Sequence, residues 1–295
     1  MDPPNGMLWS LYANVLVQGV LTGLVYGLMA LGLSVIFGVV RVVNFAHGEF
    51  AVVGMYAAFV LFRSFGIDPF VSMLPIAAVF FVIGYGLQRT LINPFVSRPE
   101  HEQFILLVGL AIIMVNGTLM IFGPDARSAN LSYSFDSWEI GAIIVDKVRV
   151  YAATAALAVA ALLFAFFRFT ATGVAIRACA DNLVGAAVVG LDVKKLYALT
   201  FGLGLACVGA AGALMVTLTD ATPMIAPAFT LLAFTIVIIG GMGSMTGAIV
   251  GGLLIGIAEA MASVLIAPSM KTMASFGLLV LVLALRPQGL LGRRA

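Results

Sequence analysis

The stretch YANVLVQGVLTGLVYGLMALGLSVIFG, Tyr12 to Gly38, runs for 27 residues without one charged side chain. As a helix rising 1.5 Å per residue it reaches about 40 Å, more than the roughly 30 Å hydrocarbon core of a bilayer. Water cannot be the main solvent of such a segment. The rest of the chain agrees: 62% of its 295 residues are hydrophobic and 9% are charged, against about 45–50% and 25% in soluble domains.

Outward from this first segment, taken as 12–38, eight more apolar segments follow at roughly 48–65, 70–92, 104–122, 150–168, 197–218, 228–241, 246–267 and 272–286. The expected fold is all-α, one polytopic transmembrane helical bundle over residues 1–295. It has nine spans, or eight if the short seventh or ninth segment is broken or re-entrant. The opening MDPPNGMLWSLY has no basic n-region and the first apolar run is too long for a signal sequence, so no cleaved targeting peptide is expected.

Arginines and lysines in short loops set orientation. Arg168, Arg177, Lys194 and Lys195, then Arg286, Arg293 and Arg294, then Arg89 and Arg98, all fall on one side if the N-terminus is outside and the C-terminus cytoplasmic. Arg63 and Arg127 dissent. The four lysines, Lys147, Lys194, Lys195 and Lys271, form no basic patch, which argues against nucleic acid. Cys179 and Cys207 fall at different depths and cannot make a disulfide framework.

Against this background RVVNFAHGEF, Arg41 to Phe50, stands out for its polarity. It is either a polar turn between two helices, anchored by Arg41, or a non-helical segment lining a pathway. Irregular backbone at membrane depth must be buried in protein or face water.

Glycines are frequent, 32 in all, and Gly19, Gly23 and Gly27 recur at every fourth position, as do Gly243, Gly247 and Gly251, continued by Gly252 and Gly256. Small residues at this spacing make a flat helix-packing stripe; two such ladders also hint at an internal repeat. Asn14, Gln18 and Thr22 share the first ladder's face, which suits a helix contact or a water-filled path, while Val20, Leu24 and Leu28 face lipid or apolar neighbours. Glu259 lies mid-segment, either as a pathway residue or as a carboxylate hydrogen-bonded to a neighbouring helix. Asn116 is expected to make an interhelical hydrogen bond.

Two loops carry structure of their own. In 169–195, Leu183, Val184, Ala187, Val188 and Leu191 form one apolar stripe. Asp181 is a candidate N-cap, Gly190 a C′ residue, and Asp192 a cap for the next span. A helix this short must bury its stripe on a membrane surface or a soluble partner. In 124–148, alternating aromatic and β-branched residues around Glu139-Ile140-Gly141 suggest a small extracytoplasmic β-hairpin.

No G-x-x-x-x-G-K-[ST] is present, so the chain has no P-loop. There is no H-E-x-x-H, and His47 and His101 are the only histidines, too few for a metal centre. No nucleophile elbow appears. Neither catalytic nor metal-binding residues are expected, which leaves transport.

Three stretches together resemble the branched-chain amino-acid ABC-transporter permeases of the Liv H type. They are GLMALGLSVIFGVVRVVNFAHGEF (Gly27 to Phe50), RACADNLVGAAVVGLDVKKLYALTFGLGLACVGAAGAL (Arg177 to Leu214), and IVIIGGMGSMTGAIVGGLLIGIAEAM with the closing LRPQGLLG (Arg286 to Gly292). The resemblance covers nearly the whole chain in order. It implies a subunit of the bacterial inner membrane, pairing with a second, related permease as a heterodimer. Two cytoplasmic ATPase subunits use the ATP, this chain holding no cofactor, and a periplasmic binding protein delivers a small-molecule substrate, a branched-chain or related amino acid.

On that resemblance Gln18, Thr22, Asn44, His47, Glu49 and Glu259 are candidates for the translocation path. Arg177, Asp181, Leu183, Ala187 and Gly190 are candidates for a coupling loop docked on an ATPase. The loop departs from the E-A-A-x-x-x-G pattern of many such permeases: aligned on Gly190, it places Val184, Gly185 and Ala186 where E-A-A stands. Two other classes stay open, an ion-gradient-driven transporter with Glu49 and Glu259 as ion sites, and a passive channel for urea or an amide.

Overall fold

The computed structural model describes residues 5–292; Arg293 and Arg294, counted above among the inner-side charges, lie outside the described residues. Nine described helices are long and apolar enough to cross a membrane, so the short seventh and ninth segments are both counted as spans. They are built on α1 (Asn5–Val40), α2 (His47–Phe65), α3 (Pro69–Leu87), α4 (Glu100–Phe122), α5 (Lys147–Phe169), α8 (Val193–Met215), α9 (Ala226–Gly240), α10 (Met245–Leu265) and α11 (Lys271–Leu285), α9 and α11 reaching span length together with the turns before them, as Pro223–Gly240 and Pro268–Leu285. Between α5 and α8 stand two short helices, α6 (Ala171–Asp181) and α7 (Leu183–Val188). One hairpin, β1 (Ser137–Ile140) paired antiparallel with β2 (Ile143–Asp146), turns at Gly141, φ +65°.

Local chemistry explains where the helices begin. Side chains accept the otherwise orphaned first amides: Asp68 for Phe70, Asp146 for Val148, Thr170 for Gly173, Asn182 for Gly185, Asp192 for Lys195 and Ser244 for Gly247. At the end of α9, Gly241 takes φ +102° and the closing segment returns, Leu290 and Leu291 donating to the Ile239 and Gly240 carbonyls. The closing LRPQGLLG is thus a cap for α9.

The bundle is built around α1 and α8. Leu28 to Ile36 is a continuously buried run, and α8 is buried from Thr200 to Met215 but for Leu203 and Ala206. Leu28, expected on a face toward lipid or apolar neighbours, is fully buried; hydropathy alone does not separate a lipid-facing from a core-facing leucine.

The first glycine ladder meets the continuation of the second. A Cβ on Gly23 would lie 2.7 Å from the Gly252 carbonyl oxygen, and one on Gly256 2.4 Å from that of Gly19. Gly247 and Gly251 instead face α9, at Gly240 and Ile236, and Gly243 faces Gly38. Gly19, Gly23 and Gly27 on α1 and Gly252 and Gly256 on α10 are the two sides of one close helix contact, and Gly247 and Gly251 make a second one with α9.

Candidate functional site

The polar stretch between α1 and α2 is not a turn at the membrane surface. Arg41 leaves α1 with φ +58°, the one left-handed non-glycine among the described residues. From there the chain runs back non-helically along α1. Asn44 Oδ1 accepts from the Ala46 amide at 3.1 Å, shaping the bend into α2. His47, the first residue of α2, donates from Nε2 to the Met29 carbonyl at 2.9 Å. Met29 is eleven residues from the end of α1 at Val40, about 16 Å along its axis. The α2 span therefore starts near mid-depth, with Asn44 and His47 fully buried.

A second helix starts at the same depth. Gly48, the second residue of α2, lies against the first turn of α9: a Cβ there would sit 2.2 Å from the Ala226 oxygen and 2.3 Å from the Thr230 nitrogen. Its amide donates to Thr230 Oγ1 at 2.8 Å, and that hydroxyl donates to Glu49 Oε2 at 2.9 Å. Two helix N-termini, each carrying partial positive charge, thus converge on one buried carboxylate. Glu49 also borders a narrow crevice lined by Val52, Met114, Val115, Thr118, Pro223 and Ala226, with essentially no room for water. His47 Nδ1 and Asn44 Nδ2, both buried, have no hydrogen-bond partner among the described residues.

The six predicted path residues divide into two groups. Asn44, His47 and Glu49 come together at the α2–α9 junction. Thr22 and Glu259 lie toward the hairpin end, where Arg149 Nη1 donates to Thr22 Oγ1 at 2.9 Å and Ser275 Oγ lies 2.7 Å from Glu259 Oε1. These contacts tie α5 to α1 and α11 to α10. Gln18 is half-buried on α1. Asn14 holds the hairpin, accepting from the Ile144 amide at 2.7 Å. Asn116 differs from expectation: it is exposed and its amide bonds the Ile112 carbonyl of its own helix at 2.8 Å.

Sequence inspection missed Thr230, Arg149 and Ser275. Only the prolines before Thr230, Pro223 and Pro227, signal a late helix start there.

At the opposite end, the 169–195 loop forms two helices where one was expected. Asn182, not Asp181, caps α7; Asp181 closes α6, because the chain is extended at Asn182. Gly190 takes φ +88° as expected of a C′ residue, its amide bonding the Ala187 carbonyl. Only Ala186 of α7 is buried; Leu183, Val184, Val188 and Val189 all point outward, Val188 81% exposed. Arg177 is exposed beside them and Ala187 shares the outward face. Cys179 of α6 is buried and, like Cys207, is a free thiol; burial raises the Cys179 pKa.

Among the described residues no cluster of histidine, cysteine and carboxylate could hold a metal ion.

A family model described as "Branched-chain amino acid transport system / permease component" matches residues 15–283. The high-affinity branched-chain amino acid transport system permease protein LivH of Escherichia coli K12 is 33% identical over 96% of both chains. Its counterpart BraD of Pseudomonas aeruginosa is 30% identical over the same shares. Among solved structures, PsaBC from Streptococcus pneumoniae in complex with Fab overlays with a TM-score of 0.46 at 15% identity, over 94% of this chain and 92% of that one.

Proposed function

Because this chain belongs to the family of branched-chain amino acid transport system permeases, we propose that it forms one half of the membrane path of an ATP-driven importer. A second, related permease supplies the other half. Two cytoplasmic ATPases drive the pair, and a periplasmic binding protein delivers a branched-chain or related amino acid. The α6–α7 end faces the cytoplasm and the hairpin end faces outward, which puts the N-terminus outside and the C-terminus inside a bacterial inner membrane.

The observation that carries this reading is the exposed apolar face of α7. Leu183, Val184, Val188 and Val189 cap a polar end of the bundle, beside Arg177. A helix of six residues has no stability of its own, and that face fits the groove of a soluble partner. Coupling runs from there: α7 leads through Asp192 directly into α8, the most buried of the spans. Motion imposed on α7 by an ATPase is transmitted to the core through α8.

The path itself runs past Glu49 at the α2–α9 junction, closed in this state by Met114, Val115 and Thr118 of α4. Purification in mild detergent from the native membrane, with mass spectrometry of what accompanies the chain, tests the assembly. One or two P-loop ATPases and a second permease are expected, and Val184→Asp with Val188→Asp should release the ATPases while the permease pair stays together. Unchanged ATPase recovery with both substitutions refutes the docking face.

A further inference from the structure

We propose that the cleft between α3 and α5 at the hairpin end binds a phospholipid with a primary-amine headgroup, phosphatidylethanolamine. The open cleft has a volume of about 520 Å³, within the usual size range of ligand sites.

Its upper wall is polar and aromatic. Asp68 accepts from the Phe70 amide through Oδ1 at 2.9 Å and from the Tyr133 hydroxyl through Oδ2. Around it, the rings of Phe70, Tyr133 and Trp138 each meet Tyr151 edge-on, at centroid distances of 6.1, 6.2 and 5.8 Å. Two bases of the hairpin end are already engaged, Lys147 with Asp136 at 2.9 Å and Arg149 with Asp146 at 3.3 Å, and Asp68 forms no salt bridge among the described residues. Burial and the adjacent Asp68 raise the Tyr133 pKa, so the phenol stays neutral and keeps its proton for the carboxylate. The spare charge of this wall is one carboxylate set among π-faces, an arrangement that attracts an ammonium.

Below it the cleft turns apolar. Thr154, Ala155 and Ala158 form a floor of small side chains, with Val71 as the opposite wall. Thr154 donates its hydroxyl to its own helix, at the Val150 and Tyr151 carbonyls, which leaves its methyl to the groove. From Tyr151 to Ala158 is about 10 Å down α5, from the aromatic rings at the membrane interface into hydrocarbon. An amphiphile with an ammonium group in its head and an acyl tail satisfies both halves. A primary ammonium offers three N–H donors to the remaining lone pairs of Asp68, which choline lacks, and an anionic headgroup is repelled.

Native mass spectrometry of the full chain with its copurifying subunits tests this, titrating dioleoyl phosphatidylethanolamine, phosphatidylcholine and phosphatidylglycerol separately. Phosphatidylethanolamine should bind about tenfold more tightly than phosphatidylglycerol and more tightly than phosphatidylcholine, the tenfold corresponding to one charge-assisted hydrogen bond. Asp68→Asn keeps the helix cap, since asparagine caps as well, and should erase the preference. Ala158→Trp fills the floor without touching the cap and should abolish binding of all three. Equal binding of the three lipids, a preference that survives Asp68→Asn, or a cleft that takes no lipid because another subunit covers it would each overturn the proposal.

Discussion

Thr230 and Glu49 join two helix N-termini at mid-depth: the Thr230 hydroxyl donates to the Glu49 carboxylate at 2.9 Å while accepting the Gly48 amide at 2.8 Å. One hydroxyl thus serves a buried acid and a buried amide at once. Removing it should be costly. Thr230→Val leaves both partners unsatisfied and should destabilise the protein by about 2 kcal/mol, whereas Thr230→Ser should stay near wild type. Thermal unfolding in detergent reads the difference; equal midpoints for the two variants would contradict it.

Gly48 lies directly against the backbone of the first turn of α9. The atoms a Cβ would meet are the Ala226 oxygen and the Thr230 nitrogen, at 2.2 and 2.3 Å, backbone atoms that cannot swing aside. Gly48→Ala should therefore force the helices apart and lower both folded yield and uptake. Near-normal values of both would show that the junction is looser than described.

The glycine contact between α1 and α10 admits an internal control. A Cβ on Gly252 would stand 2.5 Å from the Gly27 Cα, while one on Gly117 of α4 would meet nothing within 4 Å. Gly252→Ala should destabilise by about 1–3 kcal/mol through overpacking. Gly117→Ala should be neutral or slightly stabilising, since alanine favours a helix. Equal effects in the same unfolding assay would argue against the close approach.

Burial of Cys179 sets a pH dependence. Its raised pKa keeps the folded thiol protonated where an unfolded thiol ionises. The folded state then holds more protons, so stability is full below the unfolded thiol's pKa and declines as pH rises toward the higher folded value. Cys179→Ser should flatten that decline, measured as unfolding midpoint against pH above 8. A water-soluble maleimide should also label Cys179 slowly in the native protein and fast after unfolding.

Much of this was legible in the sequence. Hydrocarbon selects long apolar runs, so all nine spans could be read from composition, as could the hairpin at Gly141 and the caps at Asp192 and Gly190, where local chemistry acts alone. The polarity of Arg41 to Phe50 marked the stretch as unusual but left a surface turn and an irregular segment at depth both open, and the structure decides for non-helical backbone up to Ala46. Other features depend on neighbours distant in sequence. Thr230 lies 181 residues from Glu49, and nothing local to either announces the other. Spacing showed that Gly19, Gly23 and Gly27 form a stripe but not that Gly252 and Gly256 cover it. Asp181 and Asn182 are both good capping residues, and only the extended backbone at Asn182 decides between them. For Leu28, core and lipid are equally apolar, so its burial waits on tertiary structure.

The most direct test of the central claim is uptake of a branched-chain amino acid into proteoliposomes holding the purified assembly with its binding protein. Uptake should require ATP on the α6–α7 side, depend on the binding protein, and persist when ionophores collapse every ion gradient. Uptake by this chain alone, driven by an ion gradient without ATP, would contradict the account and return Glu49 and Glu259 to the role of ion sites.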